Sequence, residues 1–143
     1  MKPIFAVVTL AASLAACQPA EPLAISNPVF QPPLGSSGIG AAYFTIRSAA
    51  ADRIVSVTSS QADSIEIHAS VTENGRASMH RLETVELPAG KPVEFATGGM
   101  HLMIFSPRQN LGETSFPITI ELQSGAKKTI AFENRRGGED NHS

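Results

Sequence analysis

From Ile39 onward, apolar residues alternate with polar residues instead of recurring at the spacing of an amphipathic helix. Alternation of this kind predicts β-strands that bury one face. The segments are rich in Val, Ile, Thr and Phe, which suit a pleated, half-buried surface. We predict strands at Ala41–Arg47, Arg53–Ser59, Ser64–Ser70, Met79–Leu87, Pro92–Ala96, His101–Ser106, Pro117–Gln123 and Lys128–Glu133, with Leu23–Phe30 as a first, edge-type strand.

Residues typical of turns separate these segments. The turn sequences are Glu73-Asn74-Gly75, Pro88-Ala89-Gly90, Gly98-Gly99 and Ser124-Gly125. Many short strands at a spacing of roughly 8–12 residues indicate a β-sandwich or barrel. We therefore expect an all-β fold in one domain, residues 24–133, followed by a flexible polar tail at 134–143.

The start of the chain reads as a targeting segment, residues 1–16. Lys2 precedes a nine-residue apolar stretch, Ile4 to Ala12, which is shorter than the roughly 20 residues of a membrane-spanning helix. Leu14-Ala15-Ala16-Cys17 resembles the lipobox of bacterial lipoproteins, in which the cysteine carries the lipid. The alternative is an ordinary secretory signal that is cut elsewhere.

Both interpretations of the targeting segment predict a location outside the cytoplasm. With a lipid on Cys17, residues 17–23 form a Pro-containing tether. The domain then faces the periplasm on a membrane anchor. Gln18 after the cysteine favours the outer membrane, if the lipoprotein sorting rule applies to this chain.

Composition narrows the classes of function. The chain has 143 residues, with 11 Lys and Arg against 13 Asp and Glu, giving a formal net charge of −2. Without a basic stripe, nucleic acid is not expected as a partner. A single cysteine excludes an internal disulfide and a CxxC site.

The methionines and histidines are clustered. Apart from Met1, the chain has three methionines, Met79, Met100 and Met103, and each lies within two residues of a histidine. Methionine is normally scattered through apolar interiors as a gap-filler. The clustering therefore points to a shared chemical role.

Strand geometry predicts that four of these side chains converge. His101 and Met103 are two residues apart on one strand and share a face. Gly98-Gly99 precedes them, so we expect His101 near the rim of the sandwich. If Ser64–Ser70 and Met79–Leu87 pair as a hairpin, His68 and Met79 approach the same end.

Two imidazoles and two thioethers form a soft, neutral ligand set that selects copper, above all Cu(I). Zinc prefers thiolate, imidazole and carboxylate, and calcium needs clustered oxygen ligands. We therefore expect one Cu(I) ion bound by His68, Met79, His101 and Met103.

For residues next to the four expected ligands, the sequence allows more than one role. Strand alternation turns His80 and Met100 away from the ligand face, although Met100 follows a turn and stays a candidate auxiliary ligand. Glu66 shares a strand face with His68. This predicts either a hydrogen bond that orients the His68 ring or an exposed charge on a solvated face, and the second role is the commoner one.

The ligand spacing resembles that of the periplasmic PCu(A)C copper chaperones. Their signature of His, ten residues, Met, twenty-one residues, then His-x-Met is matched without a gap by His68, Met79, His101 and Met103. Position 100, often aromatic in that family, is Met100 here. The resemblance covers residues 24–133 and implies a cupredoxin-like or immunoglobulin-like β-sandwich with Greek-key features.

The same resemblance implies a function and partners. It implies a Cu(I) metallochaperone that delivers copper to the binuclear copper centre of cytochrome c oxidase, or to an Sco-type partner. We expect a monomer, with the membrane contacted only through the lipid anchor.

Other functions fit less well. A blue-copper electron carrier needs a Cys ligand, and Cys17 lies in the targeting region. The sequence has no GxSxG motif and no pair of carboxylates flanking a plausible pocket, so these two signs of an enzyme are missing. The open alternatives are an envelope copper buffer that protects against excess metal, and a lipoprotein that serves as a binding or scaffold domain without metal.

Overall fold

The computed structural model describes residues 21–109 and 113–135. These residues form ten β-strands: β1 Leu23–Gln31, β2 Ile39–Ser48, β3 Asp52–Thr58, β4 Ser64–Glu73, β5 Arg76–Leu82, β6 Val85–Leu87, β7 Pro92–Phe95, β8 Met100–Phe105, β9 Ser115–Leu122 and β10 Lys127–Asn134. The all-β fold predicted from the alternating pattern is confirmed. Within the described ranges, no helix has the length and apolar character needed to cross a membrane.

The strands follow one another in the order β5-β4-β8-β7-β2-β1-β10-β9-β3-β6, and β8 also pairs with β2. All pairings are antiparallel except β1 with β10 and β7 with β8. The two ends of this order approach each other, because Val55–Val57 of β3 and Ile65–Ile67 of β4 line one depression. The strands thus enclose a single core in a barrel-like sandwich.

Aromatic and branched side chains fill this core. Phe44 stacks on Phe95 with ring centroids 4.3 Å apart and meets Phe132 edge-on at 5.5 Å. Ile67 of β4 and Leu102 of β8 point into the same core, at 6% and 0% exposure. The opposite face of β4 and β8 is therefore free to carry polar side chains.

The segment predicted as one strand, Met79–Leu87, is two strands. A break at Glu83-Thr84 separates β5, which pairs with β4, from β6, which pairs with β3 at the other end of the order. The prediction merged the two strands because apolar residues occur on both sides of the break, at Leu82 and at Val85 and Leu87; in β5, only Leu82 is partly buried against the core. Met79 consequently lies in the middle of β5 and not at the start of a strand.

The first strand is not an edge strand. β1 lies between β2 and β10, although its pairing with β10 covers only Val29 and Phe30. The register with β2 shifts between Ser26 and Val29, and this irregularity accommodates Pro28 inside the sheet. The targeting segment 1–16, Cys17 and the tail from residue 136 onward lie outside the described residues.

Candidate metal centre

The pairing of β4 with β8 brings both histidines and one methionine, Met103, next to one another on the sheet. His68 of β4 lies directly opposite His101 of β8, and Glu66 lies opposite Met103 in the same ladder. Directly opposed residues of an antiparallel pair point to the same face. All four side chains are therefore on the face of β4 and β8 that is turned away from the core.

The β4–β5 ladder adds the second methionine to that face. Met79 pairs with Ser70, two residues beyond His68, and therefore lies diagonally across from the imidazole. His80 and Met100 both pair with Ala69 and belong to the opposite face. The predicted alternation is confirmed, and Met100 packs against the hydrophobic core.

The two imidazole rings are close enough to share one ion. Their centroids are 6.1 Å apart, with an interplanar angle of 31°. A metal bound to imidazole nitrogen at about 2 Å lies about 3 Å from the ring centroid, so two rings on one ion have centroids up to about 6 Å apart. The observed separation of 6.1 Å is at this upper limit, which a linear arrangement reaches, so four-coordinate binding requires the rings to come about 1 Å closer together.

His101 is held by the backbone of the preceding turn. Its Nδ1 lies 3.2 Å from the carbonyl oxygen of Gly99. Because a carbonyl only accepts, Nδ1 carries the proton and Nε2 keeps its lone pair. The expectation that His101 lies near the rim is wrong as to exposure, because the residue is only 9% exposed.

His68 is held by a carboxylate instead. Its Nε2 lies 2.9 Å from Oε2 of Glu66, and the other carboxylate oxygen lies 3.4 Å from Nη1 of Arg81. The hydrogen bond with His68 lowers the pKa of Glu66 below its usual value; burial opposes this effect and the charge of Arg81 adds to it. Of the two roles open to Glu66, the structure shows the hydrogen bond.

The remaining ring nitrogen of His68 has no partner. Nδ1 is buried and makes no hydrogen bond to any of the residues that the structure describes. Buried polar atoms without partners are rare in proteins. A lone pair held away from solvent, beside a second imidazole, suits coordination of a metal ion.

A groove of about 330 Å³ is lined by three of the four candidate ligands, Met79, His101 and Met103. Its walls include Met79, His101 and Met103 on one side and the segment that joins β1 to β2 on the other. None of the residues that line it carries a formal charge: Gln31, Pro32, Leu34, Ser37, Ile39, Gly40, Ala41, Tyr43, Met79, His101 and Met103. Met79 is 59% exposed at this groove, whereas His101 is buried.

Sequence reasoning missed two parts of this site. The wall contributed by the β1–β2 segment has no ligand-type residues that would signal it in the sequence. Arg81 is the second omission, because its contact with Glu66 depends on the register of β4 against β5. In the described ranges, no group of three or more His, Cys, Asp and Glu side chains is arranged to hold a metal.

Residues 23–133 match the protein family described as "Putative lipoprotein LpqE-like". The chain belongs to the LpqE-like family. This LpqE-like chain is also similar to "Putative lipoprotein Lxx21020" of Leifsonia xyli subsp. xyli, with 28% identity over 99 residues, or 66% of the chain. The matching part spans 60% of the length of that relative.

Solved structures share the fold of this LpqE-like chain. The copper-bound PCuAC domain from PmoF2 superposes with a TM-score of 0.66 at 20% identity, covering 82% of this chain and 96% of that domain. The solution structure of CuI-DR1885 from Deinococcus radiodurans gives a TM-score of 0.63 at 20% identity, covering 88% and 86%. The resemblance to PCu(A)C proteins predicted from the sequence is thus confirmed in the fold.

Proposed function

We propose that this LpqE-like protein binds one Cu(I) ion through His68, Met79, His101 and Met103 and carries it as cargo. The observation that supports this most directly is the opposed pair of imidazoles on a face that also carries two thioethers. Neutral nitrogen and sulfur ligands favour cuprous copper over zinc or calcium. Copper-bound forms of two proteins with this fold add support.

The difference in exposure between the ligands suits a carrier. His101 is buried and hydrogen-bonded to the backbone, whereas Met79 lies on the edge strand β5 and is 59% exposed. An exposed thioether can leave the ion without disturbing the core. We propose that Met79 is the ligand that yields first when an acceptor approaches through the groove.

We propose the cell envelope as the place of action, with Cys17 as the lipid attachment site and the outer membrane as the favoured location. The Leu-Ala-Ala-Cys sequence supports this proposal. The descriptions of the family and of the Leifsonia relative as lipoproteins support it as well.

For the acceptor we propose the binuclear copper centre of cytochrome c oxidase, or an Sco-type protein. The sequence resemblance to PCu(A)C chaperones supports this choice. The protein then acts as a carrier and not as an enzyme, because the proposed step moves an ion and converts no substrate.

Competition with a Cu(I) chelator under anaerobic conditions tests the binding. We expect one Cu(I) per chain, with X-ray absorption that reports two sulfur and two nitrogen neighbours. His80→Ala is the control, because His80 belongs to the opposite face and should bind copper like the unaltered chain. Failure to compete with the chelator, or absorption without sulfur neighbours, would refute the proposal.

A copper-transfer experiment distinguishes a copper chaperone from a copper buffer. The Cu(I)-loaded chain is mixed with a copper-free binuclear-centre domain, and the visible absorption of the acceptor is followed after oxidation. We expect the acceptor to gain copper faster than it does from an equal concentration of the chelated ion. Retention of copper by the donor would favour the buffer.

A further inference from the structure

Three side chains beside the proposed copper site are joined by one hydrogen bond, His68 to Glu66, and one ion pair, Glu66 to Arg81. Glu66 lies between His68, which is two residues away on the same strand, and Arg81 of β5, which pairs directly with His68. All three belong to the same face of the sheet. The carboxylate is 27% exposed and the imidazole 15%, so the contact between them is largely shielded from solvent.

This contact selects one tautomer of His68. A carboxylate without a proton only accepts hydrogen bonds, so Nε2 of His68 must carry the hydrogen. The lone pair then belongs to Nδ1, the buried nitrogen without a partner. Arg81 supports this arrangement because its Nη1 forms an ion pair with the second carboxylate oxygen, at 3.4 Å.

His101 presents the opposite arrangement. Its Nδ1 donates to the carbonyl oxygen of Gly99, which leaves Nε2 as the coordinating nitrogen. The two rings face each other across one ladder but are oriented by different partners, a carboxylate and a backbone carbonyl. They therefore offer chemically distinct nitrogens to one ion.

We infer that Glu66 is a positioning residue that holds His68 as the Nε2–H tautomer, so that His68 binds copper through Nδ1 and His101 binds it through Nε2. This inference rests on the proposed function. A second partner that orients a ligating imidazole commonly raises metal affinity by about 10- to 100-fold.

Nitrogen-15 NMR of the full chain reads the tautomer of each ring before any metal is added. We expect the Nε2–H form for His68 and the Nδ1–H form for His101, with the shifts of His68 Nδ1 and His101 Nε2 changing when Cu(I) is added. A His68 ring protonated at Nδ1, or copper bound at its Nε2, would overturn the inference.

Substitutions test the role of the carboxylate. Glu66→Ala removes the acceptor, and we expect mixed tautomers of His68 and a 10- to 100-fold loss of Cu(I) affinity, on the order given for such partners. Glu66→Gln keeps an acceptor oxygen, so this variant should keep most of the Nε2–H tautomer of His68 and most of the Cu(I) affinity. An unchanged tautomer and affinity in Glu66→Ala would refute the positioning role.

The matched control is Glu83→Ala. Glu83 also contacts Arg81, with Oε1 3.5 Å from Nε, but it is 82% exposed and has no contact with His68 among its ion pairs. We expect its removal to leave the tautomer and the affinity as they are; an effect equal to that of Glu66→Ala would refute the inference.

The two proposals fail separately. An unaltered chain that does not bind Cu(I) contradicts the proposed function, whatever the tautomers are. A chain that binds Cu(I) through Nε2 of His68 contradicts only the positioning role of Glu66.

Discussion

His68 and His101 are directly opposed across β4 and β8, with their ring centroids 6.1 Å apart. Both belong to strands with partners on each side, and each ring has its own hydrogen-bond acceptor. The two imidazoles of the proposed site are therefore held next to each other before an ion binds, and a small approach of the rings completes their geometry. The sulfur half includes Met79 on an edge strand, where a side chain is free to move.

Met79→Leu should weaken Cu(I) binding at least about tenfold without destabilising the fold. The side chain is 59% exposed, so a volume-conserving exchange alters little packing, by less than about 0.5 kcal/mol. Chelator competition and urea unfolding measure the two quantities. Met100→Leu is the matched control, and the prediction is wrong if the two variants lose copper equally.

Cu(I) should raise the melting temperature of the chain. A ligand that binds only the folded state at 100 times its dissociation constant adds about 2.7 kcal/mol of stability. For a domain of this size that corresponds to a shift of roughly 10 °C. Scanning calorimetry with Cu(I) and, for comparison, with Zn²⁺ measures it, and an equal shift with both ions would argue against selection by thioether sulfur.

Gly40→Ala should destabilise the groove wall. An added Cβ would lie 2.8 Å from Cε2 of Phe30 and 3.0 Å from the carbonyl oxygen of Gln31. Overpacking of this kind costs about 1–3 kcal/mol. Gly99→Ala provides the comparison, because its Cβ would meet nothing closer than 3.6 Å. Equal urea midpoints for the two variants would contradict the packing described for β2.

Asp52→Asn should destabilise the chain slightly, and only where the carboxylate is ionised. Oδ1 of Asp52 accepts from the amides of Arg53 and Ser124, joining β3 to the β9–β10 turn. Hydrogen bonding by Ser124 and then by Arg53 lowers the pKa of Asp52 in the folded chain.

The lowered pKa of Asp52 in the folded chain makes its contribution to the free energy of unfolding depend on pH. The stabilisation is present above the unfolded pKa of about 3.9 and is lost as the pH falls through the lower folded value. Urea midpoints of both chains should therefore differ at neutral pH and converge in strong acid. A difference that stays constant with pH would mean that the charge of Asp52 has no part in it.

Much of the fold follows from local pattern. The predicted segments match eight of the ten strands one to one, and turn residues such as Asn74-Gly75 mark the ends of strands. The pattern failed at Met79–Leu87, where one predicted segment spans two strands, β5 and β6. It also failed at β1, because the second neighbour of a strand depends on a distant segment.

The ligand types and their spacing are properties of the sequence alone, since His101 and Met103 share a face of any strand that contains them. The tertiary structure decided which ring nitrogen of each histidine has a hydrogen-bond partner, that Arg81 forms an ion pair with Glu66, and that the β1–β2 segment lines a groove together with His101. These features arise from hydrogen bonds and packing between segments far apart along the chain. Such contacts depend on strand register, which no local periodicity encodes.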